Sequence, residues 1–298
     1  MQDKEKTMLS SLMAQIEELW GHFDELFGSL GPDDWSRQHG PDWTFADVPY
    51  HLVYFDRDLI AQGIERGPQV PSEEQRVMRT QRELNDWNAA KFAERPAGQT
   101  LEQSLEQMRA SREALRRVVA TMSDADLDRP VWFPLTGCGW LTAQWVLLAC
   151  IAHNWSEFIQ LRYHMNRTTP VPSDGITHAA LGLLVGFFPA GLDRAQAAKT
   201  RFTTVMEFTG PGGGAWTIRV AEGACTLTEE RAAPADLVMS QSPETFELIR
   251  VGKLDPMAAM QSGELKVEGM QHMATFGMLF PTPTLDTVIE PMSPGALG

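Results

Sequence analysis

A chain of 298 residues with 43% apolar and 21% charged side chains has the make-up of a globular protein and the length of two ordinary domains. Its formal charge of −14 argues against a nucleic-acid-binding surface, which needs a basic patch, and against electrostatic docking on an anionic membrane. No apolar run reaches the roughly 20 residues of a membrane-spanning helix, the start MQDKEKTMLSSLMAQIEELW is too charged for a secretory signal, and Cys138, Cys150 and Cys225 form no CxxC pair, so a reduced, cytoplasmic protein without membrane insertion is expected.

Lys4 to Leu30 has helical spacing, with Leu9, Leu12, Met13, Ile16, Leu19, Trp20, Phe23 and Phe27 on one side. A polar loop follows to Asp42. Thr44 then reads as a helix cap, with Asp47 three residues on in the capping-box position and Pro49 in the first turns, where proline is tolerated. His51 lies early in this second helix among Leu52, Val53, Tyr54 and Phe55. Ser72 to Arg95 reads as an exposed, charged helical excursion, and Thr100 opens a third helix to about Met122. Its arginines, Arg109, Arg112, Arg116 and Arg117, are expected on a solvated face.

The next stretch, DADLDRPVWFPLTGCGW, reads as a short helix start and an irregular connection. Its Trp132, Phe133 and Trp140 are candidates to wall a substrate pocket, or equally to plug a core. Leu141 to His164 is then one long helix capped by Thr142, with no Pro or Gly inside.

Within that apolar helix His153 and Glu157 stand four residues apart, so both leave the same face. Unpaired polar groups in a core are costly. Two explanations compete: the pair bonds to itself, or it converges on a metal with a third ligand from another helix. His51 is the candidate third ligand, although a lone histidine on an apolar face is more often an ordinary core residue. Two imidazoles and a carboxylate suit zinc, iron or nickel and leave positions open for water or a thiol. Cys150, one turn before His153, reads as packed, not nucleophilic, and no general base stands out.

The order of helices around WTFADVPYHL and HNWSEFIQLR resembles the DinB-like superfamily, including its mycothiol-dependent maleylpyruvate isomerase group. The resemblance implies a four-helix bundle over residues 1–168 holding a divalent metal. One ligand would be a His on the second helix, and two would sit four apart on the last helix ahead of a Gln-Leu pair. His51, His153, Glu157 and Gln160-Leu161 occupy those places; Glu157 departs from the commoner His, which bears on the choice of metal. Zinc is expected first, with nickel or iron as alternatives, and the resemblance also implies a low-molecular-weight thiol.

After His164 the composition changes. NRTTPVPSDG reads as a linker, ITHAALGLLVGFF as a very apolar helix, and TRFTTVMEFT, AWTIRVAEG and ACTLTEE as short strands, with GPGGG as a hairpin turn. It lacks the GK[ST] ending of a phosphate loop. Asp236 to Met239 is a strand, and Ser242 caps a helix that starts on Pro243. Helix Leu254-Asp255-Pro256 follows, then a turn at Ser262-Gly263 and strand Leu265 to Glu268. The phrases SPETF and GKLDPMAAMQSGELKVEG resemble the sterol-carrier-protein family over residues 174–282. That implies a mixed sheet covered by helices around an apolar tunnel, for which Met257, Met260, Met270, Met273 and Met278 are candidate lining residues or ordinary core. Residues 283–298 form a Pro-rich tail, read as extended.

The expectation is therefore a metal-dependent transferase, isomerase or hydrolase. Its substrate is a hydrophobic or amphipathic small molecule, bound or enclosed by the second domain. The alternative is a non-catalytic carrier of a lipid-like ligand, with the helical domain as scaffold or dimer surface.

Overall fold

The computed structural model describes residues 7–40, 43–135, 137–166 and 168–289. Helix α1 (Met8–Ser29) starts where the Thr7 hydroxyl accepts from the Ser10 amide. It buries the expected stripe with Leu26 added, while Met13 is only half-buried. Thr44 and Asp47 make the reciprocal cap: the Asp47 carboxylate accepts from the Thr44 amide at 2.8 Å. Helix α2 (Val48–Tyr54) follows at once, with Pro49 in its first turn. It then changes form, because Phe55–Ala61 is π-helical before a last α-turn over Gln62–Arg66. Such wide turns are rare and often mark functional sites; here they bury Phe55 and Asp56.

Helix α3 (Gln81–Ala93) occupies only the second half of the expected excursion, starts on Thr80, and buries no side chain completely. Helix α4 (Leu101–Val119) is opened by the box of Thr100 and Gln103. Arg112 corrects the expected solvated face: it is 3% exposed, against Asp24 at 2.7 Å and the Trp20 ring. The connection expected to be irregular is a hairpin, with β1 (Pro130–Phe133) antiparallel to β2 (Gly139–Thr142) and Trp132 opposite Trp140. Helix α5 (Ala143–His164) begins where the Thr142 hydroxyl accepts from the Trp145 amide. It is apolar almost all round, which suits a helix enclosed on all sides. The N-terminal domain is thus helical, with α1, α2, α4 and α5 around one core.

Helix α6 (Asp174–Gly186) packs along α5 and belongs to both halves. Its Ile176, Ala180 and Leu183 join the first core, while Leu181 and Val185 join the second. The second half is a five-stranded mixed sheet in the order β5-β4-β3-β6-β7. Its strands are β3 (Phe202–Phe208), β4 (Gly214–Ala221), β5 (Ala224–Thr228), β6 (Leu237–Gln241) and β7 (Leu265–Glu268). Only β3 and β6 run parallel. The GPGGG turn joins β3 to β4, and a Cβ at Gly212 would meet the Asp174 carbonyl at 2.6 Å, so this turn packs on α6 only as glycine. Helices α7 (Pro243–Arg250), α8 (Pro256–Ser262) and α9 (Met273–Leu279) complete the domain, α7 on its Ser242 cap.

Two expectations change here. Met257, Met270 and Met278 are 58%, 51% and 53% exposed, so these three lie on the surface; Met260 and Met273 pack at the edge of the second core. The Pro-rich tail runs back onto the first domain: the Arg82 amide donates to Leu285 O, Arg82 pairs with Asp286 at 2.6 Å, and the Ile289 amide donates to Arg79 O. Residues 290–298 of that tail lie outside the described residues. Among the described residues, no helix is long and apolar enough to cross a membrane.

Candidate metal centre

Helices α2 and α5 bring His51, His153 and Glu157 together. The two Nε2 atoms stand 3.0 Å apart, and Glu157 Oε1 lies 3.7 Å from His51 Nε2 and 4.0 Å from His153 Nε2. Neither of the longer distances is a hydrogen bond.

Their partners decide which atoms carry protons. The Tyr54 hydroxyl donates to Asn88 Oδ1 at 3.2 Å, so its oxygen accepts from His51 Nδ1–H at 2.5 Å. His51 Nε2 therefore presents a bare lone pair to the centre. The His153 ring lies flat on Phe55, centroids 3.5 Å apart and planes 6° apart, and its Nδ1 is buried without a partner among the described residues. Stacking on Phe55 orients this imidazole. The π-turn that starts at Phe55 thus supplies the support for His153.

Burial pushes His51 down to about 4 and His153, with His51 beside it, down to about 3, so both imidazoles are neutral near pH 7. Burial alone would raise the Glu157 carboxyl, but the hydrogen bond and charge of His39, with the other two imidazoles, outweigh it and hold the group below the ordinary carboxylate value. The bare His51 nitrogen, the His153 Nε2 and a carboxylate oxygen thus face one another.

The donor set fits a metal ion. A triangle with sides of 3.0, 3.7 and 4.0 Å has its centre about 2.1 Å from each corner, within the roughly 2.0–2.2 Å of zinc–nitrogen and zinc–oxygen bonds.

His39 is the site residue that sequence reading missed. It is 5% exposed, and its Nε2 donates to Glu157 Oε2 at 2.8 Å. Its loop also carries Trp43, whose ring meets the His51 ring edge-on at 4.8 Å. The only signal was a histidine in a polar loop just ahead of Trp43 and Phe45. The second domain reaches the same place: Lys253 Nζ donates to His39 O at 2.5 Å and to His164 Nε2 at 3.0 Å. Arg250, held on Glu247, is close enough for its charge to act on His153. Ser156, on α5, donates to the buried Glu247 of α7.

The other sequence candidates lie elsewhere. Trp132 and Trp140 contact each other on the hairpin, and Phe133 is fully buried in the first core. The hairpin leads into the first turn of α5 at Thr142, about 16 Å along the helix from His153 at 1.5 Å per residue. These three rings do not join the triad. Cys138 and Cys150 are buried, with thiols pushed up by burial, Cys138 to about 12, which agrees with a packed and unreactive Cys150.

A second buried polar cluster lies beside the triad. Asp56, fully buried, accepts from Asn154 Nδ2 at 3.2 Å and from the Cys150 thiol at 3.6 Å.

Residues 15–160 match the DinB superfamily, and residues 189–280 match the SCP-2 sterol transfer family. Among solved structures the chain is similar to the mycothiol-dependent maleylpyruvate isomerase, over 90% of this chain and 96% of that one, with 12% identity and a TM-score of 0.50. A histidine-to-alanine variant of that isomerase gives the same 12% identity, coverage of 90% and 96%, and TM-score of 0.50. Sterol carrier protein 2 from Yarrowia lipolytica covers 37% of this chain over 96% of its own, with 18% identity and a TM-score of 0.27. At 12% identity the likeness to the isomerase is one of fold: a helical domain followed by a mixed sheet with helices. No curated protein sequence matches the chain.

Proposed function

We propose that this chain is a metal-dependent enzyme acting on a hydrophobic or amphipathic small molecule, by thiol transfer, isomerisation or hydrolysis. His51, His153 and Glu157 hold a divalent metal, zinc first and nickel or iron otherwise, within a four-helix bundle of α1, α2, α4 and α5. The observation that carries this reading is that two imidazole nitrogens and a carboxylate oxygen converge, with no donor hydrogen bonding Glu157 Oε1 among the described residues. When bound, the metal supplies a polarised carbonyl or a water or thiol of lowered pKa.

The chain's own residues do the rest. Tyr54 and Asn88 fix the His51 tautomer, His39 holds one carboxylate oxygen, and Phe55 and Trp43 pack their rings on His153 and His51. The sterol-carrier-like domain closes the side of the site where Arg250 and Lys253 stand. Their charge favours an amphipathic substrate with an anionic end, and a low-molecular-weight thiol would be the co-substrate. The match of residues 189–280 to a sterol transfer family also supports the carrier reading, in which the second domain alone carries the function.

Elemental analysis of the purified protein beside His153→Ala separates the two. About one divalent metal per chain, lost in the variant, is expected. No metal in either protein, together with binding of an apolar probe, would sink the enzyme reading and leave the carrier.

A further inference from the structure

The metal reading uses three side chains from the first domain, yet the carboxylate among them is not free to choose its pose. Glu157 has two oxygens. Oε2 accepts from His39 Nε2, so Oε1 alone faces the imidazoles.

His39 is itself fixed from several directions. The amides of His39 and Gly40 both donate to Trp43 O, at 3.0 and 3.1 Å, and Gln38 bridges to Thr44. Arg37 anchors the loop by donating to the carbonyl of His164 at 2.8 Å. The fold-back is tight enough that a Cβ on Gly40 would fall 1.9 Å from Trp43 Nε1. The remaining tie comes from the other domain. Lys253 follows α7 in a turn where its own amide and that of Leu254 donate to Leu248 O, at 2.8 and 3.0 Å. Its ammonium bridges His39 O and His164 Nε2, both in the first domain. One residue thus touches the second domain through its carbonyl and the metal ligand through its imidazole.

We propose that His39 is a positioning residue for Glu157, and that the sterol-carrier-like domain sets its position through Lys253. Partners that orient metal ligands change metal affinity about 10–100-fold when removed. In this chain that control is held across the domain joint, so the second domain does more than enclose a substrate. It holds the carboxylate in a one-oxygen pose toward the metal. The inference rests on the metal reading proposed above.

Cobalt(II) is the probe, because its visible spectrum reports how a carboxylate coordinates. The full chain is titrated with cobalt as wild type, His39→Ala, His39→Gln, Lys253→Met and the double variant His39→Ala/Lys253→Met. His39→Ala is expected to weaken cobalt binding about 10–100-fold and to shift the visible bands as Oε2 is released. His39→Gln, whose amide can still donate, is expected to recover most of both. Lys253→Met is expected to shift the bands in the same direction by less, and to add little to His39→Ala, since the two act in series. Wild-type affinity and spectrum in His39→Ala would overturn the proposal. So would a Lys253 effect that adds in full to that of His39, because the domain contact would then act by another route. A wild-type chain that takes up no cobalt, zinc or nickel fails at the earlier step and removes the metal reading itself. If His39→Ala does not fold, His39→Gln decides: spectrum and affinity near wild type support the role, and a variant as weak as Lys253→Met or weaker overturns it.

Discussion

Two polar clusters sit side by side between α2 and α5, and they are built on opposite principles. In the Asp56 cluster a buried carboxylate meets donors, the amide of Asn154 and the thiol of Cys150, and burial raises its pKa against the opposing pull of these bonds and the nearby charge of Arg112. Asp56 Oδ1 is matched to two donors. In the neighbouring cluster His51 Nε2 and Glu157 Oε1 are both acceptors, and His153 adds either one proton or a third lone pair. Phe55 and His153 belong to one cluster, and Asp56 and Asn154, one residue further along each helix, belong to the other. A one-residue step separates a carboxylate oxygen met by two donors from a face on which a bare nitrogen and a carboxylate oxygen converge.

The sharpest break between the two is metal content. Glu157→Ala or His51→Ala should remove the stoichiometric metal, as His153→Ala should, while Asp56→Asn should keep about one per chain. Metal retained in the first two variants would mean that the clusters do not differ in kind.

The next effect is acid sensitivity of the metal-free protein. His51 and His153 titrate at about 4 and about 3 in the folded chain, below the ordinary 6.5. The unfolded chain therefore takes up protons first as pH falls, and stability drains away from about 6.5 down to about 4, at up to about 1.4 kcal/mol per pH unit for each histidine. Glu157, depressed below its ordinary value, works in the same direction at lower pH. Denaturant titrations on chelated protein between pH 7 and pH 4 would show this slope, and it should flatten in His153→Ala. A stability that is level across that window would mean the imidazoles are not buried neutral.

Third, Asp56→Ala should cost about 2–3 kcal/mol of unfolding free energy, because the Asn154 amide and the Cys150 thiol lose the buried carboxylate oxygen they donate to. Chemical unfolding read beside metal content would show a stability loss with the metal in place. Loss of metal at unchanged stability would place Asp56 in the first cluster.

What was legible in the sequence was mostly local. Thr44, Thr100, Thr142 and Ser242 read as caps because a cap is decided within four residues, and all four carry one. The i,i+4 spacing of His153 and Glu157 is likewise a local fact, and the two matched families covered both halves. His39 was out of reach because its bond to Glu157 spans 118 residues and no helical period marks a loop histidine. Arg112 was misplaced for a related reason: charge predicts solvent, but this arginine is buried with its guanidinium reaching out to Asp24 on another helix. The π-turn at Phe55 leaves no mark on a 3.6-residue pattern, since it is a change of winding, not of residue type.

The smallest effect falls on the hairpin, where aromatic residues beside the long helix suggested a pocket wall. Trp132 packs on Trp140 at 5.3 Å, and its Nε1 is buried with no acceptor among the described residues. Trp132→Phe keeps a ring in that contact and removes an unpaired donor, so the two changes offset. Unfolding free energy should stay within about 1 kcal/mol of wild type, and cobalt affinity should not change, because the hairpin enters α5 about 16 Å from His153. A several-fold change in metal affinity, or in the Michaelis constant of any substrate found, would mean that the hairpin reaches the convergent cluster after all. The boundary between supporting and functional residues would then have to be redrawn along the whole of α5.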